Sequence, residues 1–321
     1  MKTKNYLILI ILTGLILGSL LILSLLTYFN QPSKNISAEH TPSLPAKQNE
    51  NTVNTETPKL DTAAQSILPG SRLIALYGSP GIPALGVLGE QPIDQSVKRI
   101  MDLSSQYQQY STEKIIPTFE IITTVASAGP TQNGDYSSEI DISTLKPWVE
   151  IAKQNNIYVI LDLQPGLADF TSQAKLYEEL LSQPNVGLAL DPEWRLKPGQ
   201  KHMKSIGSVS ADEINAIANW LNDLCIRNNL PKKLFLIHQF KLSMIENQEK
   251  LSPTQQNLNW LIQMDGLGAQ ATKLQTWHTI LDKVPDNVNV GWKNFIDEDK
   301  PMLTPEQTMQ LKPKPYYVSY Q

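Results

Sequence analysis

The sequence is poor in cysteine, with Cys225 as the single one among 321 residues. One cysteine cannot form an intrachain disulfide, so no covalent cross-link within the chain stabilises the fold. Cys225 falls on the apolar face of a predicted helix, which favours a buried structural thiol over a nucleophile. Positive charge is not in excess either, because the formal net charge is −4 and the isoelectric point about 5.7. We therefore expect no nucleic-acid partner.

Long uncharged apolar runs are lacking except at the N-terminus. Lys2 and Lys4 precede such a run at 5–29, whose helix would be about 36 Å long against a hydrocarbon core of about 30 Å. Tyr28 and Phe29 suit the membrane interface, and no small-residue cleavage site follows directly. Residues 1–29 are thus predicted to be an uncleaved single-pass anchor, with the rest of the chain extracytoplasmic. A long cleaved signal peptide is the alternative.

Large apolar side chains are almost missing from residues 30–57, which are rich in Asn, Thr, Ser, Gln, Glu and Pro. Such a segment cannot bury enough surface to offset the entropy lost on ordering. It is predicted to be a flexible stalk between the anchor and a folded domain at 58–321.

The folded part alternates short apolar runs with amphipathic helical patterns. The runs lie at 73–77, 115–121, 158–163, 186–190, 234–237, 258–264, 288–292 and 316–320. Near-continuous apolar runs are typical of parallel strands buried on both faces. The clearest helix starts with a capping-box sequence at 210–213. Eight such units over residues 72–320 predict an α/β fold of the (β/α)8 TIM-type barrel class.

A doubly wound open sheet is the alternative fold, but a glycine-rich phosphate loop is lacking after the first predicted strand. Residues 77–83 have prolines where that loop needs helix N-terminal amides. We therefore favour the barrel and expect no cofactor.

The eighth helix of the barrel has no counterpart in the pattern after the last predicted strand. Just before the first strand, Leu60, Ala63, Ala64, Ile67 and Leu68 share a helical stripe. We expect this short helix to cover the gap beside the first strand.

Polar residues gather at the ends of the predicted strands, where barrel enzymes carry their chemistry. Four acids are the candidate catalytic residues: Glu120, Asp162, Asp191 and Glu193. The candidate substrate-binding residues are Tyr77, Gln164, Trp194, His238, Gln239, Asp265, Trp292, Lys293 and Tyr320. Like charges around one opening cost stability unless a ligand, a cation or a shared proton compensates. This pattern is the strongest functional signal in the chain. For Glu193, a structural ion pair with Arg195 or Lys293 is the alternative to a catalytic role.

Several motifs resemble a family of bacterial secreted proteins and lipoproteins over roughly residues 70–321. The motifs are Leu-Asp-Leu-Gln-Pro-Gly at 161–166, Leu-Ala-Leu-Asp-Pro-Glu-Trp-Arg at 188–195, Ile-His-Gln-Phe at 237–240, Gly-Trp-Lys-Asn-Phe at 291–295 and Ser-Tyr-Gln at 319–321. The family has no established activity, and some members accompany cell-wall-binding modules. Residues 77–80 look like its Tyr-Gly-His-Pro motif, with Ser79 where histidine is common. At the level of fold alone, acids at barrel strand ends are also similar to glycoside hydrolases.

Three functions are compatible with these residues. The first is an extracytoplasmic hydrolase of cell-envelope polysaccharide or oligosaccharide, with Glu193 as general acid and another strand-end acid as its partner. The second is a metal-dependent phosphoester hydrolase that uses His238, Asp162, Asp191 and Glu120. The third is a non-catalytic barrel that binds glycan or an envelope protein.

Overall fold

A computed structural model describes residues 66–321. The predicted anchor at 1–29, the predicted stalk at 30–57 and residues 60–64 of the predicted covering helix lie outside the described residues. Within 66–321, no helix has both the length and the apolar character needed to cross a membrane.

Eight parallel strands form a closed barrel, which confirms the predicted fold class. They are β1 (Ser71–Gly78), β2 (Lys114–Ala126), β4 (Tyr158–Leu163), β5 (Val186–Leu190), β7 (Lys233–Gln239), β9 (Leu258–Met264), β10 (Asn289–Asn294) and β11 (Tyr317–Tyr320). Each strand pairs with the next one in this order, and β1 pairs with both β2 and β11, which closes the cylinder. All eight predicted runs coincide with these strands. Three short strands are also present. β3 (Ser137–Glu139) pairs antiparallel with β2, and β6 (Val209–Ser210) and β8 (Ile245–Glu246) form a separate two-stranded sheet.

Helices alternate with the barrel strands. They are α1 (Ile93–Gln108), α2 (Ile142–Gln154), α3 (Phe170–Leu176), α4 (Glu178–Leu181), α5 (Ala211–Arg227), α6 (Gln270–Leu281) and α7 (Pro305–Met309). The predicted start of α5 is observed, since the Ser210 hydroxyl accepts a hydrogen bond from the Glu213 amide at 3.1 Å. Cys225 lies buried on the inner face of α5, and burial raises the pKa of its thiol. It has the surroundings of a structural thiol.

The described residues form two apolar cores, one on each side of the barrel wall. The outer core lies between strands and helices, and the inner core fills the lower lumen. Inner-core side chains include Leu73, Ala75, Ile160, Leu236 and Tyr317. Because successive residues of a strand point to opposite faces, the next inward positions along each strand lie above this core, near the carboxyl ends.

The segment before β1 differs from the predicted covering helix at the positions that the structure describes. Residues 67–70 form a turn, and Leu68 is 3 % exposed and packs with Ile67 against the inner core. The reason is that these residues precede β1 at the amino ends of the strands, so they meet the base of the lumen. The outer side of β11 is instead contacted by α1, where the hydroxyls of Tyr107 and Tyr320 are 2.7 Å apart.

Candidate active site

A layer of ionisable side chains lies above the inner core. It consists of Glu120, Asp162, Asp191, His238, Asp265 and Lys293, each at most 6 % exposed. They come from six different strands or strand ends, so the closure of the barrel brings together residues that are distant in sequence. Buried charges persist in proteins only when they are paired, hydrogen-bonded or neutralised by a proton.

His238 is the centre of this layer. Its Nδ1 lies 3.1 Å from Asp265 Oδ2, and its Nε2 lies 3.0 Å from Glu120 Oε1 and 3.7 Å from Asp162 Oδ1. Burial alone would lower the pKa of His238, but the charge of Glu120 and the hydrogen bonds to Asp265 and Glu120 outweigh it and raise the pKa well above its usual range. Both ring nitrogens therefore carry protons and donate to carboxylates.

Two tyrosine hydroxyls hydrogen-bond to Glu120 and Asp162, the acids that lie deepest in the lumen. The Tyr317 hydroxyl donates to Glu120 Oε2 at 2.7 Å, and the Tyr77 hydroxyl donates to Asp162 Oδ2 at 3.0 Å. Burial raises the pKa of Asp162 to about 6, with the charge of His238 opposing the shift and that of Glu120 adding to it. Gln164 donates from Nε2 to the Tyr77 hydroxyl at 3.4 Å. Glu120 and Asp162, held by the two tyrosines, thus contact His238 from beneath. We call this buried network the support of the site.

A cavity of about 370 Å³ opens above this support. Its polar lining comes from Tyr77, Gln164, Asp191, Glu193, Asp265, Lys293 and Gln321, and its rim carries Trp194, Met203, Phe240 and Phe295. Glu120 and Asp162 do not line it. Two larger cavities of about 640 and 580 Å³ lie beside α1 and at the base of the barrel, and no buried acid lines either of them. The convergent polar groups make the smaller cavity the candidate active site.

The loop that carries Glu193 is held by backbone hydrogen bonds. Glu193 lies in a one-turn 3₁₀ helix directly after β5, and its carbonyl accepts from the Gly207 amide at 2.7 Å. A β-carbon on Gly207 would lie 2.6 Å from that carbonyl oxygen and 2.4 Å from the carbonyl oxygen of Arg195. Glycine is therefore needed for this close approach. Nearby, the Arg195 guanidinium binds Glu213 at 3.1 Å.

Glu193 forms no ion pair with any residue in 66–321. Arg195 is engaged by Glu213, and Lys293 Nζ lies 3.4 Å from the centre of the Tyr77 ring. The structural ion pair considered from sequence is therefore not observed. Burial and then the charge of Asp265 raise the pKa of Glu193 to about 7, against opposing charges on Lys293 and His238.

Asp191 lies two residues before Glu193 and also lines the cavity. Burial raises the pKa of Asp191 well above its usual range; the charge of His238 opposes this shift, and the charges of Asp162, Glu193 and Asp265 add to it. The site thus combines two acids whose pKa values are raised, Asp191 and Glu193, with an Asp265 side chain that is hydrogen-bonded to His238.

Three residues predicted from sequence to bind substrate lie away from this cavity. Gln239 donates to Gln248 at 2.8 Å, Trp292 packs edge-on against Trp277, and Tyr320 contacts α1 through Tyr107. Each is a direct neighbour in sequence of an inward-facing residue, namely His238, Lys293 and Ser319. Because side chains alternate along a strand, they point outward. The structure brings the other ten predicted residues to the cavity or to the layer beneath it.

The sequence interpretation missed Tyr317 and Phe240, which the structure places in the support and on the rim of the cavity. It also missed Gln263, whose Nε2 lies 2.6 Å from the Ser319 hydroxyl. The alternation of side chains along a strand could have identified Tyr317 and Phe240. Tyr317 lies two positions before Ser319, and Phe240 lies two positions after His238.

A metal centre receives little support from this geometry. Carboxylates occupy both ring nitrogens of His238, so the imidazole has no lone pair to offer a cation. Over residues 66–321, no group of three or more His, Cys, Asp or Glu side chains is arranged to hold a metal ion.

No protein-family model matches the chain, and no curated protein matches it. Among solved structures, the chain is similar to a dihydropteroate synthase of Xanthomonas albilineans solved with 4-aminobenzoic acid. The identity is 10 %, the TM-score is 0.32, and the match covers 78 % of this chain and 87 % of that chain. A likeness of this extent says nothing about activity, and these comparisons give no support for the secreted bacterial family named above.

Proposed function

We propose that the protein is an extracytoplasmic glycoside hydrolase that acts on cell-envelope glycan. The observation that carries this proposal is the pairing of two unlike carboxyl groups in one cavity. The pKa of Glu193 is about 7, and the charge of Asp265 is one cause of that value. A carboxyl group with a raised pKa beside a second carboxyl group is what general acid catalysis of glycoside cleavage requires.

Glu193 is the general acid. A carboxyl group with a pKa near 7 still holds its proton in a large fraction of molecules at neutral pH, yet it releases that proton readily. Its neighbourhood supports this role, because no cation among the described residues pairs with it and the 3₁₀ turn fixes its backbone. In the reaction it donates the proton to the glycosidic oxygen as the bond breaks.

Asp265 is the partner carboxylate. His238 holds one of its oxygens through Nδ1, and the other oxygen, Oδ1, has no hydrogen-bond partner among the described residues. The side chain of Asp265 lines the cavity, and an oriented carboxylate there can attack the sugar directly or activate water. The separation of the two carboxyl groups with substrate bound decides between these courses, about 5–5.5 Å for retention and about 6.5–9.5 Å for inversion.

The remaining residues either position Asp265 or bind the sugar. Glu120, Asp162 and the two tyrosines Tyr77 and Tyr317 hold His238 in place, and His238 holds Asp265. The rim rings of Trp194, Phe240 and Phe295 suit the apolar faces of sugars. The expected membrane anchor and stalk agree with a substrate outside the cell.

The test is the release of reducing ends from purified envelope polysaccharides by the full-length protein. Glu193→Gln is expected to lower turnover about 10²- to 10⁴-fold, the usual size of general acid catalysis, and Asp265→Asn to lower it comparably. Glu298→Gln, at an exposed position on the loop after β10, is the control and should leave turnover unchanged. Equal turnover by Glu193→Gln and the wild type would refute the assignment. Tight glycan binding without any turnover would indicate a non-catalytic barrel.

A further inference from the structure

Asp191 is a buried carboxyl group without a partner. It is 3 % exposed, its side chain makes no hydrogen bond within the described residues, and its Oδ1 is fully enclosed. Leaving a buried polar group unsatisfied is unfavourable, and more so for a charged one. Such a group in the wall of a cavity points to a ligand that supplies the missing contact.

The cavity has more acidic than basic groups. Asp191, Glu193 and Asp265 line it, whereas Lys293 is its one lining cation among the described residues. Lys293 does not pair with Asp191, because its Nζ lies over the Tyr77 ring. His238 is committed to Glu120 and Asp265. Within the described residues, no cation therefore pairs directly with Asp191, although the charge of His238 acts on it from beneath the cavity.

An ammonium group fits this place better than a hydroxyl group. It carries three donors and a positive charge, so it can hydrogen-bond to the carboxyl groups of Asp191 and Asp265, and its charge favours the ionised form of Asp191 that burial disfavours. Aromatic rings around the cavity add cation–π attraction. A hydroxyl group supplies one donor and no charge.

The position of Asp191 indicates where on the sugar this amine lies. Asp191 and Glu193 belong to one short segment after β5, and Asp265 follows β9 on the far side of His238. If Glu193 and Asp265 act at the anomeric carbon, a group bound by Asp191 belongs to the part of the sugar next to that carbon. The amine is then the substituent of carbon 2.

We infer that the site takes a 2-amino-2-deoxy sugar with a free amine, and that Asp191 binds its ammonium group. This inference rests on the proposed function for the position of the amine. The binding of the sugar can nevertheless be measured without any catalysis.

The experiment compares three β-1,4-linked oligosaccharides of equal length, made of glucosamine, of N-acetylglucosamine and of glucose. Full-length Glu193→Gln protein is titrated with each at pH 6 by calorimetry, so that no cleavage disturbs the measurement. The glucosamine oligomer is expected to bind at least tenfold tighter than either of the others. Adding Asp191→Asn should remove this preference for the glucosamine oligomer.

Equal or tighter binding of the N-acetylated or the glucose oligomer would overturn the inference, and so would a preference that survives Asp191→Asn. The comparison among ligands on the Glu193→Gln protein decides the matter even if the double variant does not fold. A preference for glucosamine in a protein that cleaves none of the three oligomers and no envelope glycan would sink the proposed hydrolase and support the amine site. Cleavage of N-acetylated glycan alone would do the reverse.

Discussion

The unusual pKa of Glu193 can be tested through stability, independently of any substrate. The pKa rises from an ordinary value of 4.5 to about 7 in the folded protein. Between these values the folded protein keeps a proton that the unfolded chain has lost, so the free energy of unfolding falls as pH rises. A shift of this size corresponds to roughly 3 kcal/mol, as an upper figure for this partly buried group.

Replacing Glu193 by Gln removes the titrating group with little change in shape. From pH 4.5 to pH 8, the wild-type protein is therefore expected to lose roughly 3 kcal/mol more of its free energy of unfolding than Glu193→Gln loses. The pKa values of Asp162 and Asp191 are also raised, and these acids titrate in both proteins. The charge of Glu193 itself contributes to the raised pKa of Asp191. In Glu193→Gln this contribution is absent, so the pH dependence that comes from Asp191 is also smaller than in the wild type.

The assay is urea unfolding of the full-length protein followed by tryptophan fluorescence at half-unit steps of pH. Glu298→Gln, at an exposed position, is the matched control and should follow the wild type. Parallel curves for wild type and Glu193→Gln would refute the argument, because they would mean that Glu193 binds its proton equally well in the folded and unfolded states.

Three further predictions concern His238, Tyr317 and the loop that carries Glu193. His238→Ala leaves the carboxylates of Glu120 and Asp265 without their cation and should lower the free energy of unfolding by about 3–5 kcal/mol in urea at pH 6. Because the folded-state pKa of His238 lies above the unfolded one, the stabilisation by its charge is complete below the unfolded pKa and is lost as pH rises through the folded value. Tyr317→Phe removes the 2.7 Å hydrogen bond to Glu120 and should cost roughly 1.5–3 kcal/mol in the same assay; an unchanged midpoint would contradict a charge-assisted bond. Gly207→Ala forces the loop of Glu193 to move and should lower glycan turnover about 10²-fold; an unchanged rate would show that the loop adapts without cost.

The barrel was predictable because each of its strands is buried on both faces. Such strands appear in sequence as apolar runs separated by helical patterns, and this signal does not depend on knowing which face points inward. The short strands were not predictable. Residues 137–139 are Ser-Ser-Glu, and their pairing with β2 comes from contacts that no local apolar pattern reveals.

The site was predictable only as far as the positions of the strand ends. Runs such as Leu-Phe-Leu-Ile before His238 are apolar at every position, so the inward and outward faces cannot be distinguished. The sequence therefore does not decide whether His238 or Gln239 faces the lumen, and it predicts substrate-binding roles for Trp292 and Tyr320, which the structure places on the outer side of the barrel wall. Nor could the sequence separate acids that line the cavity from Glu120 and Asp162 beneath it, because that distinction depends on depth in the lumen.

The hydrogen bond between Tyr317 and Glu120 joins residues that are 197 positions apart in the chain. It links the second strand of the cylinder to the last, so the chain must be folded almost to its end before Glu120 acquires this donor. Any fragment that stops before β11 lacks the means to orient His238 fully, and hence Asp265. The orientation of this buried network therefore depends on a strand from the far end of the described chain.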